Sequence, residues 1–106
     1  MDLKLARKRA LICGGSSGLG RAVATALVAE GAHVALLSRD AARLQAVADE
    51  LNAMGPGKAA VVTADLADHE ALMRAADLAE ELLGGHIEIL LNNTGGPPPS
   101  GEIGRA

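Results

Sequence analysis

Cys13-Gly14-Gly15-Ser16-Ser17-Gly18-Leu19-Gly20 joins a short apolar run, Arg9 to Cys13, to a segment of helical period that ends near Glu30. A strand that turns directly into a helix aims unpaired backbone N–H groups, and the positive end of the helix dipole, at one point in space. Glycine suits such a turn, because a Cβ would hold an anion away from those donors and strain a tight backbone. The dipole contributes only about 0.3 to 1 kcal/mol. Several N–H bonds to charged oxygens must therefore supply the rest of any affinity. A glycine-rich connection without function is the alternative reading, and the flanking segments bear on the choice.

Outward from this turn, short apolar runs alternate with longer amphipathic segments. From about Ser17 to Glu30, Leu19, Val23, Ala26 and Leu27 fall on one helical face, and Gly31 offers a left-handed stop. Ala32 to Leu37 is apolar without alternation, as in a strand covered on both faces. Asp40 can cap a second helix with the stripe Leu44, Val47, Ala48 and Leu51, ended by Gly55-Pro56-Gly57. Ala59 to Thr63 reads as a third strand. Asp68 can cap a third helix that buries Leu72, Ala75, Ala76, Ala79, Leu82 and Leu83. Gly84-Gly85 closes it before a fourth strand, Ile87 to Leu91. The order β-α-β-α-β-α-β predicts an α/β fold, a parallel sheet flanked by helices through right-handed crossovers. If the winding reverses after the third strand, the strand order is 3-2-1-4. Residues 1–94 form one α/β unit in this reading, and 95–106, with Pro97-Pro98-Pro99, an extended loop.

A chain of 106 residues holds one domain at most. Phe, Tyr and Trp are absent, so the core must be built from Ala, Val, Leu and Ile. Positive charge gathers early, with Lys4, Arg7, Lys8, Arg9 and Arg21 against Asp2 and Glu30, which suits an anionic ligand near the turn. The run Arg7-Lys8-Arg9 also reads as a solvated approach to the first strand. The patch is too small for nucleic acid, and no aromatic ring is present to stack bases. Cys13 is the only cysteine, which excludes an intrachain disulfide and points to a reducing, cytoplasmic setting. No apolar run nears the ~20 residues of a membrane span. His33, His69 and His86 share no metal-ligand spacing, so no metal is expected.

The P-loop would continue after Gly20 with Lys-Ser or Lys-Thr, whereas Arg21-Ala22 follows here. The spacing Gly-x-x-x-Gly-x-Gly after a first strand instead resembles the short-chain dehydrogenase/reductase family, with Cys13 in place of the family's Thr. Asp65-Leu66, after the third strand, matches the family's acidic residue beside the adenine. Asn92-Asn93-Thr94-Gly95, after the fourth, resembles its Asn-Asn-Ala-Gly. The resemblance runs from about Lys8 to Pro99. It implies a Rossmann-type sheet that binds a nicotinamide dinucleotide, with Gly14, Ser16, Ser17, Gly18, Leu19, Gly20, Ser38, Arg39, Asp65, Leu66, Asn92, Thr94 and Gly95 around the cofactor.

The end of the second strand meets the adenosine ribose. There Leu37-Ser38-Arg39-Asp40 presents Arg39 first, and a guanidinium can bind a 2′-phosphate bidentately. NADP is therefore expected over NAD, although Asp40 could turn to the ribose and reverse that preference. Family members transfer hydride at a carbonyl or alcohol carbon, with Tyr, Lys, Ser and usually Asn beyond the Asn-Asn-x-Gly motif. The stretch Asn92-Asn93-Thr94-Gly95-Gly96-Pro97-Pro98-Pro99 looks like members labelled 3-oxoacyl-carrier-protein reductases. This chain has no Tyr, so no catalytic residue is assigned and the chain alone is expected to be inactive. A non-catalytic nucleotide-binding module, or an interaction partner of a complete relative, are the alternatives. In the intact family fold a fifth strand pairs with the fourth. Without it, self-association through the open fourth-strand edge is expected.

Overall fold

A computed structural model describes residues 5–14 and 18–92. The elements are β1 (Arg9–Cys13), α1 (Gly18–Ala29), β2 (His33–Ser38), α2 (Ala41–Met54), β3 (Ala59–Thr63), α3 (His69–Leu83) and β4 (Ile89–Asn92). All three strand pairs are parallel, and the sheet runs β3-β2-β1-β4 as the alternating pattern predicts. The expected loop at 95–106, and with it the boundary at residue 94, lies outside the described residues.

Alternation along the buried strands divides the core into two layers. Ala10, Ile12, Val34 and Leu36 face α1 and α2, meeting Ala24, Leu27, Val28, Leu44, Val47, Ala48 and Leu51. Leu11, Cys13, Ala35, Leu37 and Val62 face α3, whose fully covered residues are only Ala75 and Ala79. One face of the sheet is thus packed by two helices and the other by one. Asp40 caps α2 by accepting from the Arg43 amide at 3.1 Å, and Asp68 caps α3 by accepting from the Ala71 amide at 3.2 Å. Gly31 (φ +91°) and Gly84 (φ +83°) occupy the left-handed region at the ends of α1 and α3.

Three local expectations are corrected. The buried face of α1 is Gly20, Ala24, Leu27 and Val28, whereas Leu19 and Ala26 are exposed. Small residues win the contact because they let the helix backbone approach the sheet, so bulk is a poor guide to the inward stripe. Leu82 points outward on α3, 51% exposed. The ladder of β4 begins at Ile89, opposite Ala10, and not at Ile87. The Ile87 amide is taken by the Glu80 carboxylate at 2.9 Å, which replaces a strand partner there. No helix among the described residues is long and apolar enough to cross a membrane.

Candidate functional site

Because every strand is parallel, the carboxyl ends of all four line one rim of the sheet. Cys13 sits beside Leu37 and Asn92, and Ser38 beside Thr63. Chain connections part at this rim: β1 leads through α1 to β2 on one side, while β4 arrives on its other side after two further units. A crevice opens where neighbouring strands send their connections to opposite faces, which is the general ligand position in open α/β sheets.

The sequence residues singled out above gather here. Gly14 follows β1 with φ +79°, and Gly18 opens α1 with φ +60°, both in the region that favours glycine. A Cβ on Gly18 would meet no atom within 4 Å among the described residues, so this side of the turn faces open space. Gly20 is buried within the first turn of α1. Leu19 stands beside it, 62% exposed. Gly15, Ser16 and Ser17 lie outside the described residues, as do Thr94 and Gly95.

Main-chain bonds stitch the loops of the rim together. The Gly14 amide donates to Leu37 O at 2.7 Å, and the Ala64 amide donates to Ser38 O at 3.1 Å. Ser38 Oγ accepts from the Asp40 amide at 3.1 Å, which leaves its hydroxyl proton able to donate elsewhere. Arg39 is exposed and forms no ion pair among the described residues. Asp40 is committed to capping α2. Asp65 is exposed and folds its own turn, with Oδ1 accepting from the Ala67 amide at 2.9 Å and its carbonyl from the Asp68 amide at 3.0 Å. Leu66 is half-buried against the α3 layer, and Asn92 is exposed at the end of β4.

Of the early basic residues, Arg7, Lys8 and Arg9 do not join this rim, Lys4 lies outside the described residues, and Arg21 stays in the first turn of α1. Lys8 and Arg9 lie at the amino end of β1 and pair with Glu88 at 3.4 and 3.7 Å. Arg21 pairs with Glu50 of α2. Parallel strands carry their two ends to opposite sides of the sheet, so proximity in sequence to the glycines misled. Arg39 is the cation that the fold delivers to the rim from β2. Cys13 is buried at the end of β1, and burial pushes its thiol up, away from the reactive thiolate. His33 has a structural task, accepting from the Lys58 amide at 3.2 Å. Among the described residues no group of three His, Cys, Asp or Glu is placed to hold a metal.

The family model described as short chain dehydrogenase matches residues 8–104. An uncharacterized oxidoreductase of Mycobacterium tuberculosis is 41% identical over 99 residues, covering 92% of this chain and 36% of that protein. The L-xylulose reductase of Mesocricetus auratus is 41% identical over 93 residues, covering 88% of this chain and 34% of the relative. Among solved structures, L-sorbose reductase from Gluconobacter frateurii, complexed with NADPH and L-sorbose, superposes with a TM-score of 0.83 at 34% identity. That match covers 91% of this chain and 36% of the other. Hydroxysteroid dehydrogenase from Escherichia coli gives a TM-score of 0.80 at 33% identity, over 93% of this chain and 41% of the other. The chain thus spans about a third of the length of the curated relatives it matches.

Proposed function

The chain belongs to the short-chain dehydrogenase family, and on that premise we propose that it is the NADP-binding part of an oxidoreductase that reduces carbonyls or oxidises alcohols. The observation that carries the reading is the shared rim: Gly14, Gly18, Arg39, Asp65 and Asn92 meet along the carboxyl ends of four parallel strands. The residues fit a dinucleotide. Glycines in the left-handed region leave open backbone where a diphosphate approaches, and the start of α1 adds a favourable dipole. Ser16, Ser17, Thr94 and Gly95 complete the proposed contacts. Leu19 and Gly20 position the first helical turn, and Leu66 borders the adenine beside Asp65.

The preference for NADP over NAD rests on β2. Arg39 is exposed and uncommitted to an ion pair among the described residues, and Ser38 keeps a hydroxyl proton to donate. Asp40, the group that could bind a ribose diol and repel a 2′-phosphate, is occupied as the α2 cap. Hydride chemistry at a carbonyl also requires a proton donor at hydrogen-bond distance. This sequence contains no Tyr, and we assign that step to residues outside it. The single cysteine, buried and unpaired, supports a reducing, cytoplasmic setting. The outer side of β4 is proposed to pair with a further strand in a protein of the relatives' length, or with another copy in the chain alone.

Titration with NADPH and NADH tests the specificity. Arg39→Ala should weaken NADPH by about 10- to 100-fold, as expected for the loss of a charge-assisted hydrogen-bonded contact. NADH should change by less than about twofold. Equal weakening of both cofactors, or no binding of either, defeats the proposal.

A further inference from the structure

Two arginines stand at the start of α2. Arg39 precedes the helix and Arg43 lies in its first turn; both are exposed, and neither forms an ion pair among the described residues. The first turn of α2 holds no acidic side chain, and the positive end of a helix dipole disfavours a cation there. The helix itself gains nothing from Arg43. Its place follows from a contact lower down. Arg21, in the first turn of α1, pairs with Glu50, so the flank of α2 that carries Glu50 is turned toward α1. Residues 43, 47 and 50, spaced by four and three, share that flank. Val47, between the two charges, is buried in the layer that α1 and α2 form over the sheet. Both helices leave the carboxyl end of a strand, so both start at the rim and run the same way. From Glu50 back to Arg43 is about 10 Å along α2, whereas from Arg21 back to Gly18 is about 5 Å along α1. Arg43 thus stands on the rim side of the start of α1, on the flank that looks over Gly18.

We propose that Arg43 is a second specificity-determining residue of the site, an inference that rests on the NADP reading above. Arg39 approaches the 2′-phosphate from the end of β2, and Arg43 from the α1-facing flank of α2, so that the phosphate is held from two sides. A phosphate presents three terminal oxygens and close to two negative charges. One guanidinium fork engages two of those oxygens and balances one charge. Arg43 takes what remains. NADH carries a hydroxyl in that place and gives Arg43 no anion to hold.

The test is calorimetric titration of the whole chain with NADPH and with NADH, taking Arg39→Ala as the reference. Arg43→Ala should weaken NADPH by about fivefold and NADH by less than about twofold. Arg43→Glu separates this role from a structural one. A carboxylate suits the first turn of a helix, so the urea midpoint should hold or rise while NADPH weakens by about tenfold or more through repulsion. If Arg39→Ala weakens NADPH alone and Arg43→Ala weakens neither cofactor, the role of Arg43 is overturned and the NADP reading stands. Equal weakening of both cofactors by Arg43→Ala overturns it too, as does a loss of NADPH binding in Arg43→Glu that accompanies a fall in the urea midpoint. If the unaltered chain fails to prefer NADPH, both readings fall together.

Discussion

The two edges of the sheet solve the same problem in different ways. Lys58 O accepts from the Val34 amide, so on β3 the next residue, Ala59, and those at 61 and 63 turn their main-chain groups away from β2. Asn52, on α2, meets the first of these as a strand would. Its Oδ1 accepts from the Ala59 amide at 2.8 Å, and its Nδ2 donates to Ala59 O at 3.0 Å. On β4 the amide of Glu88 donates to Arg9 O, which turns the main-chain groups of Ile89 and Leu91 away from β1, and the Leu90 side chain is 66% exposed. No side chain among the described residues caps that outer row. What fixes β4 lies at its start and is ionic: Glu80 accepts from the Ile87 amide and Glu88 from the Arg9 amide. An edge intended for water is sealed by one neutral amide. The β4 edge is left unsealed among the described residues and is held by carboxylates.

The largest test of this contrast concerns how each edge is brought to its neighbour. Gly57, buried before β3, lies so close to β2 that a Cβ would overlap the Ala32 carbonyl oxygen. Backbone on that side has no easy way to yield. Gly57→Ala should destabilise the fold by about 3 kcal/mol, measured as a fall in the urea midpoint at unchanged m-value. Before β4, the atoms nearest a Cβ on Gly85 are those of the Arg9 guanidinium, the far end of a side chain that can move. Gly85→Ala should cost less than about 1 kcal/mol. Equal losses would show that the two edges are docked with equal tolerance.

Next in size is the amide itself. Asn52→Ala leaves the outward N–H and C=O of Ala59 without their partner. Water can reach both groups, so the stability loss should be about 1 to 2 kcal/mol. The same substitution opens the β3 edge, and self-association should rise with concentration in light scattering. Asn52→Asp keeps the acceptor for the Ala59 amide but sets a carboxylate oxygen against the Ala59 carbonyl, and should fall between the two. An alanine variant as stable and as dispersed as the parent would mean that Asn52 is not the seal.

How much of this could be read beforehand follows from what each feature depends on. Strand order, the Asp40 and Asp68 caps and the stripe of α2 are local or topological, and sequence period and connection handedness specify them. The rim of the site is equally legible, because a parallel sheet must place Gly14, Arg39, Asp65 and Asn92 at one end. Features that depend on distance through space were not. Asn52 reads as one more polar residue near a helix end, and only the approach of Ala59 gives it a role. The early basic cluster looked like part of the site because it precedes the glycines, yet a strand's length separates Arg9 from Gly14, about 16 Å at 3.3 Å per residue. The inward face of α1 was misjudged for a related reason. Leucine marks burial by its cost in water, whereas Gly20 and Ala24 are buried because their smallness permits contact. Glu88 gave no signal of its own, since its partner Arg9 is 79 residues away.

The smallest expected effect separates the edges by pH. The Ile87 amide donates to Glu80, and the Arg9 amide to Glu88, and each bond holds its carboxyl below the ordinary carboxylate value of 4.5. A depressed carboxyl stabilises the fold fully above its unfolded value, and the contribution disappears as pH falls through the folded one. The start of β4 should therefore loosen as the solution is acidified below about pH 4.5, while Asn52 carries no titrating group and the β3 anchor holds. Both carboxyls are in contact with solvent, so the change should be a local loss of amide protection with little shift in global midpoint. Amide exchange followed by NMR would show Arg9 and Ile87 losing protection first as pH falls, with Ala59 unaffected over the same interval. Glu88→Gln should remove the acid dependence at Arg9 and leave that at Ile87. Simultaneous loss at Arg9, Ile87 and Ala59 would mean that acid unfolds the sheet as one unit, and that charge does not distinguish its two edges.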